Sequence, residues 1–117
     1  MKRILIAEDN DSNFILMTYI LRQRYEYDRA RNGKEAVEMA TNTNYDLVLM
    51  DLKMPVMDGL EATRQLKAMR PQLPVVALTA NAFEQDREMA LEAGCDDFMT
   101  KPISQADCLA LIAKYIG

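Results

Sequence analysis

The chain has 117 residues, half of them hydrophobic, which is enough for one domain with one core and too little for two. Its formal net charge of −4 comes from mixed acids and bases, so there is no basic block of the kind that direct binding to nucleic acid requires. No apolar run approaches the about 20 residues of a membrane span, and the N-terminus has no signal-peptide pattern, so we expect a cytoplasmic domain without membrane contact.

Histidine is absent from the sequence, and the two cysteines, Cys95 and Cys108, lie too far apart for a CxxC motif. This composition excludes a zinc site of the usual ligand spacing and a histidine-based catalytic triad. We therefore expect both cysteines to be reduced thiols in the core.

Five short apolar segments predict β-strands. In chain order they are residues 4–7, a weaker segment at 27–31, and residues 47–50, 75–79 and 97–100. Helices are expected in the gaps between them. Strands that alternate with helices favour a doubly wound α/β fold, a five-stranded parallel sheet with five helices on its two faces, because parallel neighbours need right-handed crossovers.

Four of the expected helices begin with a capping residue followed three positions later by an acid. The pairs are Asn32 with Glu35, Asp58 with Glu61, Asn81 with Glu84, and Ser104 with Asp107. In the last helix the spacing of apolar residues predicts a buried stripe. Its members are Leu109, Ile112, Ala113 and Ile116.

Polar side chains stand where the predicted strands end: Glu8 and Asp9, Asp51, Thr79 and Lys101. With the strand order 2-1-3-4-5, adopted from flavodoxin-like folds rather than derived, these ends meet at one edge of the sheet, where such folds bind ligands. Carboxylates about 5 Å apart repel by about 3 kcal/mol per pair at an effective dielectric of about 20. A hard cation with oxygen ligands offsets that repulsion, which points to Mg²⁺, and Lys101 supplies a second positive charge.

Four stretches carry a family resemblance: "ILIAEDN", "DLVLMDLKMPVMDG", "VVALTA" and "DDFMTKP". In their order and spacing, the chain resembles the receiver domain of two-component response regulators over essentially residues 1–117. The segments "AEDNDSN" and "MDLKMPVMDGLEATRQLK" are similar to the corresponding segments in receivers of hybrid sensor histidine kinases. We therefore expect one receiver domain, either free-standing or part of a longer protein.

The resemblance implies a phosphorylation site and a metal site that share one residue. Asp51 would be the phosphoacceptor and a ligand of Mg²⁺, and Asp9 would be a direct ligand. The backbone carbonyl of Lys53 would complete the protein ligands, and Glu8 would hold the ion through water.

The resemblance also implies a switch. Lys101 would pair with the phosphoryl oxygens, and the hydroxyl of Thr79 would move toward them and vacate space behind it. Phe98, three residues before Lys101, would be the switch aromatic that enters this space. The bond between Lys101 and Pro102 would be a cis peptide.

The implied activity is nucleophilic attack by the Asp51 carboxylate on phosphorus to form an acyl phosphate. The domain would promote its own phosphorylation and dephosphorylation as a signalling element rather than act as an enzyme. Since the chain lacks histidine, the phosphoryl donor would be a histidine kinase or a histidine phosphotransfer domain.

The first helix, "NFILMTYIL" at residues 13–21, is apolar on every side, so one stripe should stay at the surface. The two candidate stripes are Leu16 with Ile20, and Phe14 with Met17 and Leu21. The resemblance implies that the histidine-bearing partner docks near this helix.

Three other functions share parts of this pattern. A flavodoxin-like cofactor binder needs a phosphate-cradling first loop, whereas the acids of "AEDNDSN" would repel a phosphate. A haloacid-dehalogenase-type phosphatase needs an acid two positions after its nucleophile, where this chain has Lys53. The alternative that stays open is an interaction module with the receiver fold that takes no phosphoryl group.

Overall fold

In the computed structural model, residues 1–80 and 84–117 are described. Strands and helices alternate along this part of the chain. In order they are β1 (Arg3–Ala7), α1 (Asp11–Leu21), β2 (Glu26–Ala30), α2 (Gly33–Asn42), β3 (Leu47–Asp51), α3 (Gly59–Met69), β4 (Val75–Thr79), α4 (Glu84–Ala93), β5 (Asp97–Thr100) and α5 (Gln105–Ile116). None of these helices is long and apolar enough to cross a membrane.

The five strands form one parallel sheet in the order β2-β1-β3-β4-β5, which confirms the predicted fold and strand order. β3 runs one residue further than predicted. Asp51 pairs with Leu78, and the N–H of Leu52 donates to the carbonyl of Leu78 at 3.2 Å, so Asp51 is the last residue of the strand. Its side chain therefore starts from a backbone that the sheet holds rigidly.

The core has two layers, one on each face of the sheet. Leu5, Val48, Met50 and Ala77 face α2, α3 and α4, and their neighbours along the strands face α1 and α5. This alternation follows from the period of two in a strand. The free cysteines are both buried, Cys95 in the first layer and Cys108 in the second, as predicted.

The helix starts follow the predicted capping pattern where the structure describes them. The side chains of Asn32, Asp58 and Ser104 accept from the backbone N–H groups of Glu35, Glu61 and Asp107. The predicted cap at Asn81 lies outside the described residues. α1 has a cap that we did not predict, because Asn10 accepts from the N–H of Asn13, and the third position is not an acid.

The buried face of α5 differs from the predicted stripe. Ile112 is fully buried, and Leu109 and Ile116 pack against the core, but Ala113 is exposed. Cys108 is fully buried in its place. A thiol behaves as a small hydrophobe, and Cys108 lies one turn before Ile112. The buried face of α5 is therefore centred on Cys108 and Ile112 and turns away from Ala113.

Candidate functional site

Three carboxylates lie together at the carboxyl edge of the sheet. Glu8 and Asp9 follow β1, Asp51 ends β3, and one oxygen of each lies within 4.8 Å of the others. Glu8 is fully buried and Asp51 is 6% exposed, whereas Asp9 is open to solvent. The predicted cluster therefore consists of two buried acids and one acid at the surface.

Lys101 reaches this cluster from the end of β5. Its Nζ lies 2.8 Å from Oε1 of Glu8 and 3.4 Å from Oδ2 of Asp51. Burial alone would lower the pKa of Lys101, but the hydrogen bond to Glu8 and the charge of Asp51 outweigh it and raise the pKa above its ordinary value. The ammonium therefore stays charged between two buried acids. The bond from Lys101 to Pro102 is cis, as the resemblance implies.

Glu8 carries the least satisfied group of the site. Its burial, together with the hydrogen bond shared with Asp51, raises the pKa of Glu8 to about 7 against the opposing effect of Lys101. Its Oε2 is buried and has no hydrogen-bond partner among the residues that the structure describes. Buried polar atoms normally have a partner, and clustered carboxylate oxygens are the ligands of hard cations. The donor set therefore fits Mg²⁺.

A cavity of about 710 Å³ opens above the acids. The predicted site residues that line it are Asp9, Asp51, Lys53, Thr79 and Lys101, and Glu8 is buried beside them. The backbone N–H of Lys53 donates to Oδ1 of Asp51 at 3.3 Å, which fixes one oxygen of this carboxylate. Thr79 is 7% exposed, and its carbonyl accepts from the N–H of Lys101 at 2.7 Å.

Phe98 lies away from this cavity. Its ring is half-buried against the core layer of α2, α3 and α4, and the guanidinium carbon of Arg87 in α4 lies 5.5 Å from the ring centroid. The predicted switch aromatic is thus a residue of β5, the strand that ends next to Lys101, and its ring faces α4.

Gly59, the first residue of α3, holds this helix directly against the end of β3, a feature that the sequence pattern did not predict. Its N–H donates to the carbonyl of Leu52 at 3.0 Å, and a Cβ at this position would collide with the backbone carbonyl of Asp51. The sequence feature that could have indicated this contact is the Asp-Gly pair, since so close an approach of two backbones requires a residue without a side chain.

The loop between β3 and α3 contains a strained turn, which the sequence analysis also missed. Val56 has a φ of 68°, and the N–H of Met57 donates to the carbonyl of Pro55 at 2.7 Å, which closes a γ-turn. A β-branched residue in this region is an outlier. No pattern in the sequence marks it, because valine is among the residues least suited to the position.

α1 leaves apolar side chains exposed, but neither predicted stripe lies at the surface as a whole: Phe14 packs partly buried against the core, and only Leu16 of the other stripe is exposed. Met17, Ile20 and Leu21 are buried, because they form the face turned toward the sheet and α5. The exposed residues are Ile15, Leu16 and Tyr19, at 51%, 39% and 60%. We call these three residues the α1 strip. It lies on a helix that begins two residues after Asp9.

Comparison with known proteins agrees with this geometry. The model of the response regulator receiver domain family matches residues 4–113. The hybrid signal transduction histidine kinase G of Dictyostelium discoideum is 41% identical over 119 residues, a match that covers 97% of this chain and 4% of the kinase. The chain thus spans a small part of that relative's length.

Two solved structures share the fold at substantial identity. The receiver domain of sensor histidine kinase PA1611 from Pseudomonas aeruginosa PAO1, with a magnesium ion in its active site cleft, has a TM-score of 0.93 and 38% identity, and the match covers 99% of this chain and 98% of that one. The matched chain in the complex of the Saccharomyces cerevisiae phosphotransfer protein Ypd1 with the receiver domain of Ssk1 has a TM-score of 0.92 and 32% identity, with coverage of 97% and 88%. Since the family model spans nearly all of the sequence, the chain belongs to the response regulator receiver domain family.

Proposed function

We propose that residues 1–117 form one phosphoacceptor domain of a two-component phosphorelay, in which Asp51 takes a phosphoryl group from a phosphohistidine donor in the presence of Mg²⁺. The observation that carries this proposal is the convergence of Asp51 with Glu8, Asp9 and Lys101 at one edge of the sheet. Membership of the receiver family supports it.

Asp51 is the nucleophile. One of its oxygens accepts from the N–H of Lys53 and the other faces Lys101, so the carboxylate is oriented before any donor arrives. An oriented acceptor lowers the entropic part of the barrier to transfer. Phosphoryl transfer needs positioning and charge stabilisation more than proton chemistry, which fits a site without histidine.

The residues that would hold Mg²⁺ are Asp9, Asp51 and the backbone carbonyl of Lys53, and Glu8 would act through water. The exposure of Asp9 supports its direct role, since a hydrated ion reaches it from solvent. When bound, Mg²⁺ would supply charge neutralisation to the acids and to the oxygens of the transferred group. Glu8 already pairs with Lys101, which favours the indirect role.

The output step begins with the charge of the phosphoryl group, about −1.5 to −2 at neutral pH. Lys101 pairs with its oxygens, and Thr79 donates a hydrogen bond to one of them. Phe98 then moves into the space that Thr79 leaves. The support is that β4 and β5 end together, with Thr79 paired to Thr100 next to Lys101.

The partner is a histidine kinase or a histidine phosphotransfer domain that docks transiently on the α1 strip. The strip is apolar and lies close along the chain to Asp9, so a histidine bound there would be near the acceptor. The likeness to a receiver in complex with the phosphotransfer protein Ypd1 supports this class of partner. A small interface suits a donor that must leave after transfer.

We also propose that the domain is cytoplasmic, on the basis of its cysteines. Its two cysteines are free, and both are buried in the core. Disulfides form and persist in oxidising compartments, whereas reduced thiols are usual in a reducing compartment.

Binding of beryllofluoride, a mimic of the phosphoryl group, tests the proposed function. With Mg²⁺ present, the backbone NMR spectrum of the wild type should shift at the carboxyl edge of the sheet, and that of Asp51→Asn should not. Asp58→Asn is the matched control, because Asp58 lines the same cavity and asparagine caps a helix as well as aspartate. An equal shift in Asp51→Asn would contradict the proposal, and a silent wild type would favour the interaction module.

A further inference from the structure

Arg29, the second-last residue of β2, has no role in the mechanism proposed above, yet it touches the loop that carries the acids. Its Nε donates to the carbonyl oxygen of Glu8 at 3.0 Å, and its Nη1 lies 2.8 Å from Oδ1 of Asp11. Its guanidinium carbon lies 4.5 Å from the centroid of the Phe14 ring in α1. Contacts of three kinds therefore fix the position of the guanidinium.

These contacts hold the backbone at the acid pair from two sides. The N–H of Glu8 donates to the carbonyl of Ala30 at 3.0 Å, and the carbonyl of Glu8 accepts from Arg29. That carbonyl belongs to the planar peptide unit that joins Glu8 to Asp9. Fixing it therefore sets the direction in which the chain enters Asp9.

Arg29 is also buried at a cost. Its side chain is 13% exposed, and its Nη2 is buried without a hydrogen-bond partner among the described residues. An unpaired buried donor on a charged group destabilises a fold. Arg31 contacts the same Asp11, with 3.5 Å between Nη1 and Oδ1, but its side chain is 61% exposed. Pairing with Asp11 thus does not require burial, so the position of Arg29 has another purpose.

We infer that Arg29 is a positioning residue for Mg²⁺ binding, acting through the peptide unit between Glu8 and Asp9. This inference rests on the proposed function, since it takes these two acids as the metal-binding pair. Removal of Arg29 should change Mg²⁺ affinity through two effects that oppose each other. Loss of a nearby positive charge strengthens the attraction of a cation, whereas loss of the hydrogen bond frees the acid pair and weakens binding.

The decisive experiment is a titration of the intact domain with MgCl₂, followed by backbone chemical shifts. Arg29→Gln should bind Mg²⁺ about tenfold more weakly than the wild type, the low end of the range for groups that orient metal ligands. Arg31→Gln is the matched control, because it removes one positive charge beside Asp11 and no contact to Glu8. It should bind Mg²⁺ as tightly as the wild type or slightly more tightly.

Arg29→Lys separates charge from geometry, because lysine keeps the charge but lacks the planar fork that serves Glu8 and Asp11 together. It should also bind Mg²⁺ more weakly than the wild type, and it decides the matter alone where Arg29→Gln does not fold. Affinity in Arg29→Lys equal to that of the wild type, or tighter binding by Arg29→Gln, would overturn the inference. A wild type that binds no Mg²⁺ would instead overturn the proposed function.

Discussion

At the scale of single residues, Asp9 and Glu8 show how neighbours in sequence acquire different chemistry. Asp9 is open to solvent, whereas Glu8 is fully buried and bound to Lys101. A hydrated cation would meet Asp9 first, and Glu8 is held by Lys101. This difference is the basis of the two different roles in metal binding that we propose for the two acids.

This difference predicts the order of two neutralising substitutions. Asp9→Asn should weaken Mg²⁺ binding by roughly tenfold or more, because it removes a directly bound charge, and Glu8→Gln should weaken it less. Calorimetric titration with MgCl₂ at neutral pH measures both affinities. The opposite order would exchange the roles of the two acids.

Substitution of Lys101 should affect metal binding and the response to phosphorylation differently. Lys101→Ala should retain Mg²⁺ binding, because removing a like charge strengthens the attraction of a cation, and we expect this effect to outweigh the lost contacts to Glu8 and Asp51. It should abolish the change that phosphorylation transmits, because no ammonium remains to pair with the phosphoryl oxygens. NMR spectra with Mg²⁺ alone and then with beryllofluoride separate the two steps. Loss of the Mg²⁺ response in Lys101→Ala would show that the lysine organises the metal ligands as well.

At the scale of elements, α3 begins in direct contact with the end of β3. Gly59 allows this approach, and the cap at Asp58 fixes where the helix starts. The carboxyl end of the acceptor strand is thereby held by a helix as well as by its ladder partner in β4. The rigidity of Asp51 is a property of this junction rather than of one residue.

Gly59→Ala tests the junction. The added Cβ meets backbone atoms of Asp51 and Leu52, which cannot rotate away, so we expect the free energy of unfolding to fall by about 1–3 kcal/mol. Mg²⁺ affinity should fall with it, because the acceptor carboxylate moves. Gly117→Ala is the comparison, since a Cβ there meets nothing within 4 Å and any loss of stability comes from its φ of 79° rather than from a collision. Urea unfolding gives the stabilities, and an unchanged Gly59→Ala would contradict the close contact.

The α1 strip belongs to the same scale, since it is one face of one helix. Leu16→Gln should slow phosphotransfer from a phosphorylated histidine phosphotransfer domain about tenfold, the usual cost of losing an apolar anchor. Phosphorylation by acetyl phosphate should not change, because a small donor needs no docking surface. Leu91→Gln, at an exposed apolar position of α4 that does not line the cavity, is the control and should leave both rates as they are. A slower transfer in Leu91→Gln with a normal Leu16→Gln would move the docking surface to α4.

At the scale of the whole molecule, the site exists only because four strands end at one edge. β1, β3, β4 and β5 carry its residues from distant parts of the sequence, and the parallel sheet brings them together. Alternating strands and helices predicted the sheet, and polar residues at strand ends predicted the site, because parallel strands must end on the same side. The order of the strands was adopted from flavodoxin-like folds, since local patterns carry no information on which strands are neighbours.

The misses have physical causes that lie beyond local pattern. α1 is apolar all round, so its buried face depended on the sheet and α5, and Ile20 turned inward where an exposed stripe was one option. Ala113 was expected in the core, but Cys108 is buried instead, and the buried face of α5 turns away from Ala113. The contact of Gly59 depends on how the loop after β3 folds back, and the contact of Arg29 with Glu8 joins β2 to the residue that follows β1, and neither is represented by a spacing rule.

The most direct test of the central claim is the intact mass of the domain after incubation with acetyl phosphate and Mg²⁺. The wild type and Asp58→Asn should each gain one phosphoryl group that is labile to hydroxylamine, as an acyl phosphate is, and Asp51→Asn should gain none. Chelation of Mg²⁺ should abolish the gain in the wild type. The same labile phosphoryl group on Asp51→Asn would contradict the account, because the acceptor would then be a residue other than Asp51.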